Sequence, residues 1–372
     1  MTSFIVNRTS TRTATGSTSH PAARAHRRRR AVAGAGIALA GLLVLSACSS
    51  SGGAKSSADA GEITLYSAQH EQTTDALVKA FTAKTGIKVN VRSDDEDVLT
   101  AQIEQEGSRS PADVFYTENS PWLEQLDAKG MLAKVDASTL AEVPAKYSGT
   151  SGDWVGVSAR ASVLVYNTSK LTASQVPTSI MDLADPKWKG KIELAPAETD
   201  FWPVISSIAK AKGDAAALAW LKAVKANAGS RDSAPDNETL VSDVNNGTVE
   251  LGVINHYYWF RLQSEIGTGA MHSALSYLAP QDPGYVLDIS GAAILKSSKH
   301  QAQAQAFLAY IDSAAGQQII AHSVSFEYPI GSGVAANSEL KPFEQLQPNS
   351  FSVSELGTGE DAKTLLQQAQ LI

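Results

Sequence analysis

Two adjacent phenols, Tyr257 and Tyr258, follow an apolar run at 249–254, and Arg261 comes four residues after the first of them. One imidazole, His70, and two carboxylates, Glu118 and Glu198, also come just after short apolar runs. A phenol ordinarily loses its proton near pH 10, so a tyrosine binds metal at neutrality only when a strong Lewis acid displaces that proton. Hard oxygen donors suit hard cations. Zinc favours His and Cys, whereas calcium and magnesium favour carboxylates and carbonyls and do not need phenolate. Ferric iron fits this donor set best. Spacing puts Arg261 on the helical face of Tyr257, where a cation favours the phenolate. Taken singly, each residue also has an ordinary role: a helix-start histidine, a glutamate at a positive helix end, core aromatics with wet hydroxyls. Convergence is what points to a site.

The elements that must bring these residues together alternate. Residues 63–66, 87–91 and 112–116 read as strands, and 73–84 and 98–106 as helices. Asn119-Ser120-Pro121 opens a further helix that Gly130 ends. Strands are expected at 162–166, 191–194 and 249–254, with helices at 215–228, 301–314 and 315–321. Such alternation predicts an α/β fold of mainly parallel sheets with helices on both faces. Ligands of open α/β sheets bind beyond the carboxyl ends of strands, where the singled-out residues fall. By the same pattern, strand alternation turns His256 away from its neighbours, and the run Asp94-Asp95-Glu96-Asp97 reads as a solvated face opening a helix.

The amino terminus reads differently. Residues 1–30 hold seven arginines and no acid, followed by an apolar run at 31–45 and then Ser46-Ala47-Cys48. A basic start, a short apolar stretch and small residues describe a secretory signal over 1–47. Leu45-Ser46-Ala47-Cys48 resembles the lipobox of bacterial lipoproteins, which implies cleavage before Cys48 and acylation of its sulfur. Residues 48–61 then form a lipidated, polar tether. Cleavage leaves 24 basic residues against 38 acidic ones, a net charge of −14, which argues against nucleic acid as a partner. Cys48 is the single cysteine, so neither an internal disulfide nor a thiolate cluster can form.

Several segments carry a resemblance. Leu65-Tyr66-Ser67-Ala68-Gln69-His70, the stretch 107–118 ending in Tyr116-Thr117-Glu118, and Asn255-His256-Tyr257-Tyr258-Trp259 are similar to those of the bacterial ferric-ion-binding proteins. These are the transferrin-like class of the periplasmic binding protein superfamily. Pro186-Lys187-Trp188-Lys189-Gly190, the stretch 291–298 and Glu327-Tyr328-Pro329 extend it. The resemblance implies a type II, two-lobed fold, with residues 62–160 plus 288–337 in one lobe and 161–287 plus 338–372 in the other. It implies His70, Glu118, Tyr257 and Tyr258 as iron ligands, with a synergistic anion such as phosphate, carbonate or citrate near Asn119, Thr199, Asn237 and Asn255. Arg160 and Arg261 would supply positive charge. The partners implied are an ABC permease and its ATPase, with the membrane reached through Cys48; a monomer without enzymatic activity is expected. One departure stands out. The family's anion loop reads like Thr-Ser-Gly-Ala, and here Ala195-Pro196 precedes Ala197-Glu198-Thr199-Asp200. Glu198 therefore either points away from the anion or approaches the metal in its place. The alternatives are another cargo on the same scaffold, such as thiamine, a polyamine or a phosphonate, and a secreted metalloenzyme.

Overall fold

In the computed structural model, which describes residues 61–331 and 333–372, the chain opens with the expected alternation. β1 (Glu62–Ala68), α1 (Glu71–Thr85), β2 (Lys88–Ser93), α2 (Glu96–Glu106) and β3 (Val114–Thr117) come first. α3 (Ser120–Ala128), the short β4 (Leu132–Ala133) and α4 (Ala137–Leu140) follow, then the long β5 (Trp154–Asn167). Next are β6 (Ile192–Glu193), α5 (Trp202–Lys212), α6 (Asp214–Ala228) and α7 (Asn237–Asn245). β7 (Leu251–Asn255) runs straight into α8 (His256–Ile266), followed by β8 (Ser273–Ser276) and β9 (Leu287–Leu295). The chain closes with α9 (Gln301–Ile311), α10 (Ala314–Ala321), β10 (Tyr328–Pro329), α11 (Val353–Leu356) and α12 (Glu360–Gln368). Cys48 and the expected signal and tether lie outside the described residues.

The strands form the path β2-β1-β3-β9-β5-β7-β6. β1, β2 and β3 are parallel, whereas β9 runs antiparallel to β3 and to β5. All 14 residues of β5 and all nine of β9 are buried, as expected for strands covered on both faces. β5 changes partner along its length. From Trp154 to Ala161 it pairs with β9, and from Ser162 to Tyr166 with β7. An irregularity at Gly156/Ser158 interrupts the first ladder. A Cβ at Gly156 would meet the Tyr147 carbonyl oxygen at 2.1 Å, so only glycine lets the chain pass there.

Helix limits have local causes. Gly86 takes the left-handed conformation that closes α1, and Asp236 accepts from the Thr239 N–H to open α7. The expected helix 301–314 is interrupted at Asp312-Ser313, where the Ser313 hydroxyl caps α10 by accepting from Gly316 N–H. β9 carries no alternation because it is buried throughout, and periodicity alone did not single it out as a strand.

Candidate functional site

Register brings the first pair together. Ala68 of β1 lies opposite Thr117 of β3, and the Glu118 N–H donates to the Ala68 carbonyl at 3.2 Å. His70 and Glu118 therefore leave neighbouring strand ends side by side, with His70 Nδ1 3.2 Å from Glu118 Oε1. Tyr257 and Tyr258 come from the first turn of α8, their rings stacked with centroids 4.0 Å apart. The Tyr257 hydroxyl donates to Glu118 Oε2 at 3.4 Å, and its ring stands edge-on to His70 at 5.3 Å. His70 Nε2 is buried without a hydrogen-bond partner. Among the described residues no three His, Cys, Asp or Glu side chains gather as a metal site.

Beside this group is a cleft of about 720 Å³, lined by His70, Glu118, Glu198, Asp200 and Tyr258 among others. Burial dominates its electrostatics. It pulls the His70 imidazole down to about 4, keeping the ring neutral with a free lone pair at pH 7. It pushes Glu118 well above the carboxylate range and both phenols well above the usual 10. Burial, aided by the Asp200 charge, raises Glu198 to about 8. Desolvation thus favours the uncharged forms of His70, Glu118, Tyr257 and Tyr258.

Arg160 lies inside β5 rather than ahead of a strand, and it is 0% exposed. Its guanidinium donates to the Glu118 carbonyl, to Asn119 Oδ1, to Ser290 Oγ at 3.0 Å and to Glu327 Oε1 at 3.5 Å. It also meets Asp200 Oδ1 at 3.4 Å and lies 5.9 Å from the Tyr257 ring centroid. Asn237 donates to the other oxygen of Asp200 at 3.4 Å. Arg261, also 5.9 Å from that ring, pairs at the surface with Glu238 at 3.3 Å. Thr199 and Glu198 line the cleft without meeting Arg160. Asp200, two residues after Glu198, lines the same cleft and is the carboxylate that meets Arg160. Asn255 is buried, its side chain beside the Asp288 carboxyl.

Two expectations need amendment. His256 is turned away from the cluster because it begins α8, not because a strand alternates there. It accepts from the Ala161 N–H at 3.0 Å, and its Nε2 meets the Phe326 carbonyl at 3.0 Å. In the acidic run, Glu96 leaves the solvated face. It accepts from the Thr117 hydroxyl at 2.5 Å, the Asn119 N–H at 2.7 Å and the Trp122 indole at 3.1 Å. Glu96 thereby props the turn that carries Glu118. One amphipathic acid among four gives no sequence signal of this role.

Asp288 lies opposite Arg160 in the β5–β9 ladder, with the Asn255 side chain beside its carboxyl. Burial pushes it up to about 7. Between the ordinary carboxylate value, about 3.9, and that value, the folded protein holds a proton that the unfolded chain has lost, so stability falls as pH rises through this window. Asp288→Asn is expected to raise the thermal midpoint at pH 8 by about 3 °C and to give no gain near pH 4, measured by scanning calorimetry.

A two-lobed α/β scaffold with a polar cleft at the strand ends is that of a solute-binding protein. Residues 109–351 match the model for bacterial extracellular solute-binding proteins, and the chain belongs to that family. It is similar to the Fe(3+)-binding periplasmic protein of Serratia marcescens, 43% identical over 307 residues, covering 82% of this chain and 90% of that protein. Among solved structures it is similar to iron-bound HitA from Pseudomonas aeruginosa, with TM-score 0.78, 41% identity, and 83% and 99% of the two chains covered. The Trichodesmium protein IdiA (FutA), in complex with iron and citrate, superposes with TM-score 0.76 at 32% identity over 84% of this chain and 100% of that one.

Proposed function

We propose that this protein is the extracytoplasmic substrate-binding component of an iron(III) ABC importer, taking one ferric ion at His70, Glu118, Tyr257 and Tyr258 and passing it to a permease driven by its ATPase. The observation that carries the reading is one carboxyl, Glu118, meeting both a buried phenol and a half-buried imidazole, at 3.4 and 3.2 Å. The iron-binding names of the relatives support it. The site's charge supports it too. A ferric ion brings three positive charges, and two phenols and a carboxyl can release three protons. The exchange leaves the buried cluster's net charge unchanged, avoiding the large cost of an uncompensated charge away from water.

Asp200 takes the place of the synergistic anion. It already holds Arg160 and Asn237, and a second anion beside it would be repelled in a partly dry cleft. The wild-type protein is expected to hold iron without added phosphate, carbonate or citrate. Asp200→Ala should make binding depend on one of them, by roughly a hundredfold in affinity, in line with loss of one ligand or its support. Equal dependence on added anion in both proteins would overturn this assignment.

The lobes, 62–160 with 288–337 and 161–287 with 338–372, hinge where β5 changes partner. His70 and Glu118 come from the first and the tyrosines from the second, so binding favours the closed form by its differential affinity for that state. Acylated Cys48 tethers the protein to the outer face of the cell membrane, beside the permease. No enzymatic role is assigned, since all four side chains serve as ligands. The deciding experiment is metal analysis with an absorbance spectrum of protein purified from iron-replete cells. One iron per chain with a visible phenolate-to-iron band is expected, and an iron-loaded but colourless protein would sink the ligand assignment.

A further inference from the structure

The parallel strands give this half of the molecule two unlike ends. His70 and Glu118 stand at the carboxyl ends of β1 and β3, while the chain enters at the opposite end through Gly61, whose carbonyl accepts from the Lys88 N–H at 3.1 Å. Around that entry stand five exposed cations: Lys84 in the last turn of α1, Lys88 at the start of β2, and Arg109, Lys296 and Lys299. Arg109 and Lys299 line one hollow of about 320 Å³ together with Glu62. Lys296 lines an adjoining hollow of about 260 Å³ that shares Ser108 and Ser297 with the first. None of the five belongs to an ion pair among the described residues. In the first hollow Asp113 is buried and engaged by the Thr64 N–H, the Ser298 hydroxyl and His300, which leaves Glu62 as an exposed acid beside the cations. A concentration of unpaired positive charge is unexpected on a chain whose residues from Cys48 onward sum to −14.

We propose that this end is a footing for the anionic membrane surface, where Lys88, Arg109, Lys296 and Lys299 meet lipid phosphate headgroups beside the tether. The proposal rests on the reading of Cys48 as acylated. Twelve residues lie between Cys48 and Gly61, and the chain joining them reaches at most about 45 Å. The basic end is therefore the part of the fold that the anchor holds nearest the bilayer. Juxtamembrane lysines and arginines gain energy from an anionic surface within about a Debye length of it.

The test uses the mature chain from residue 48 with Cys48→Ser, so that the surface acts without the lipid. Sedimentation with phosphatidylcholine vesicles containing phosphatidylglycerol should carry the protein down at low salt, and pure phosphatidylcholine vesicles should not. Reversing Lys88, Arg109, Lys296 and Lys299 to Glu should lower partitioning by at least about tenfold. Reversing Lys170, Lys189, Lys212 and Lys222, exposed and outside this end, makes the same change in net charge and should alter it by less than about twofold. Retained ferric-ion uptake verifies folding of both, and the milder Lys→Gln, Arg→Gln set replaces any variant that fails this check. No sedimentation with anionic vesicles, or equal loss in both sets, would overturn the proposal. Mass analysis of the native amino terminus tests acylation separately, so failure of the anchor and failure of the surface are told apart.

Discussion

The double variant Tyr257→Phe, Tyr258→Phe is expected to lose iron binding by about four orders of magnitude while remaining folded. Structural zinc sites are worth about 10–16 kcal/mol over four ligands, so each ligand contributes about 3 kcal/mol, or about a hundredfold. Two phenolates removed then cost about ten-thousandfold in affinity. The single Tyr257→Phe variant should lose about a hundredfold and shift the colour without abolishing it, because Tyr258 still supplies a phenolate. Folding should survive, because both rings are buried and stacked at 4.0 Å, and phenylalanine keeps that stack while removing a hydroxyl. Competition against a chelator of known strength gives the affinities. Calorimetry without iron checks the fold. An affinity loss of less than tenfold in the double variant would place the ion elsewhere.

The second expectation concerns acid. Burial holds both phenols well above 10 and Glu118 well above the carboxylate range. At neutrality both phenols therefore carry their protons, which a coordinating ion must displace. Apparent affinity then falls as pH falls, by about a hundredfold per unit for two displaced protons and a thousandfold for three. From pH 7 to pH 5 the predicted loss is about four to six orders of magnitude. His70, drawn down to about 4, stays neutral over this range and adds nothing to the slope. Glu118→Gln cannot release a proton, so its slope should be smaller by one. The measurement is iron occupancy against a chelator whose own pH dependence is known. A slope of one or less in the wild type would rule out two phenolate ligands. Steep acid sensitivity would also provide a release step when the permease opens the cleft and water re-enters.

The two expectations share one physical source. A buried site of neutral donors has little pull on weakly Lewis-acidic cations, which cannot repay deprotonation of a raised phenol. The same burial that makes the empty cluster stable selects for a strongly acidic trivalent ion. Arg160 tunes this balance from beneath. It touches the Glu118 carbonyl and faces the Tyr257 ring, and its own charge is answered by Asp200 and Glu327.

What the sequence by itself determined is local and chemical. The alternation of apolar runs and helical patterns set an α/β fold, because hydrophobic periodicity is written into consecutive residues. The residues proposed as donors were singled out for the same reason: His70, Glu118 and the tyrosine pair each come shortly after an apolar run, where the strand-end rule looks for a ligand. Tertiary structure decided what depends on register between distant segments. Nothing within residues 94–97 distinguishes Glu96, whose partners Thr117 and Asn119 come from the neighbouring strand end. Nor does any local pattern say that Asp200, rather than Glu198, meets Arg160 forty residues earlier. The fully buried β5 and β9 hide their roles because strands covered on both faces lose the alternation that marks a strand. Short-range pattern fixes which groups are present and which element ends carry them; pairing across the sheet decides which charges meet.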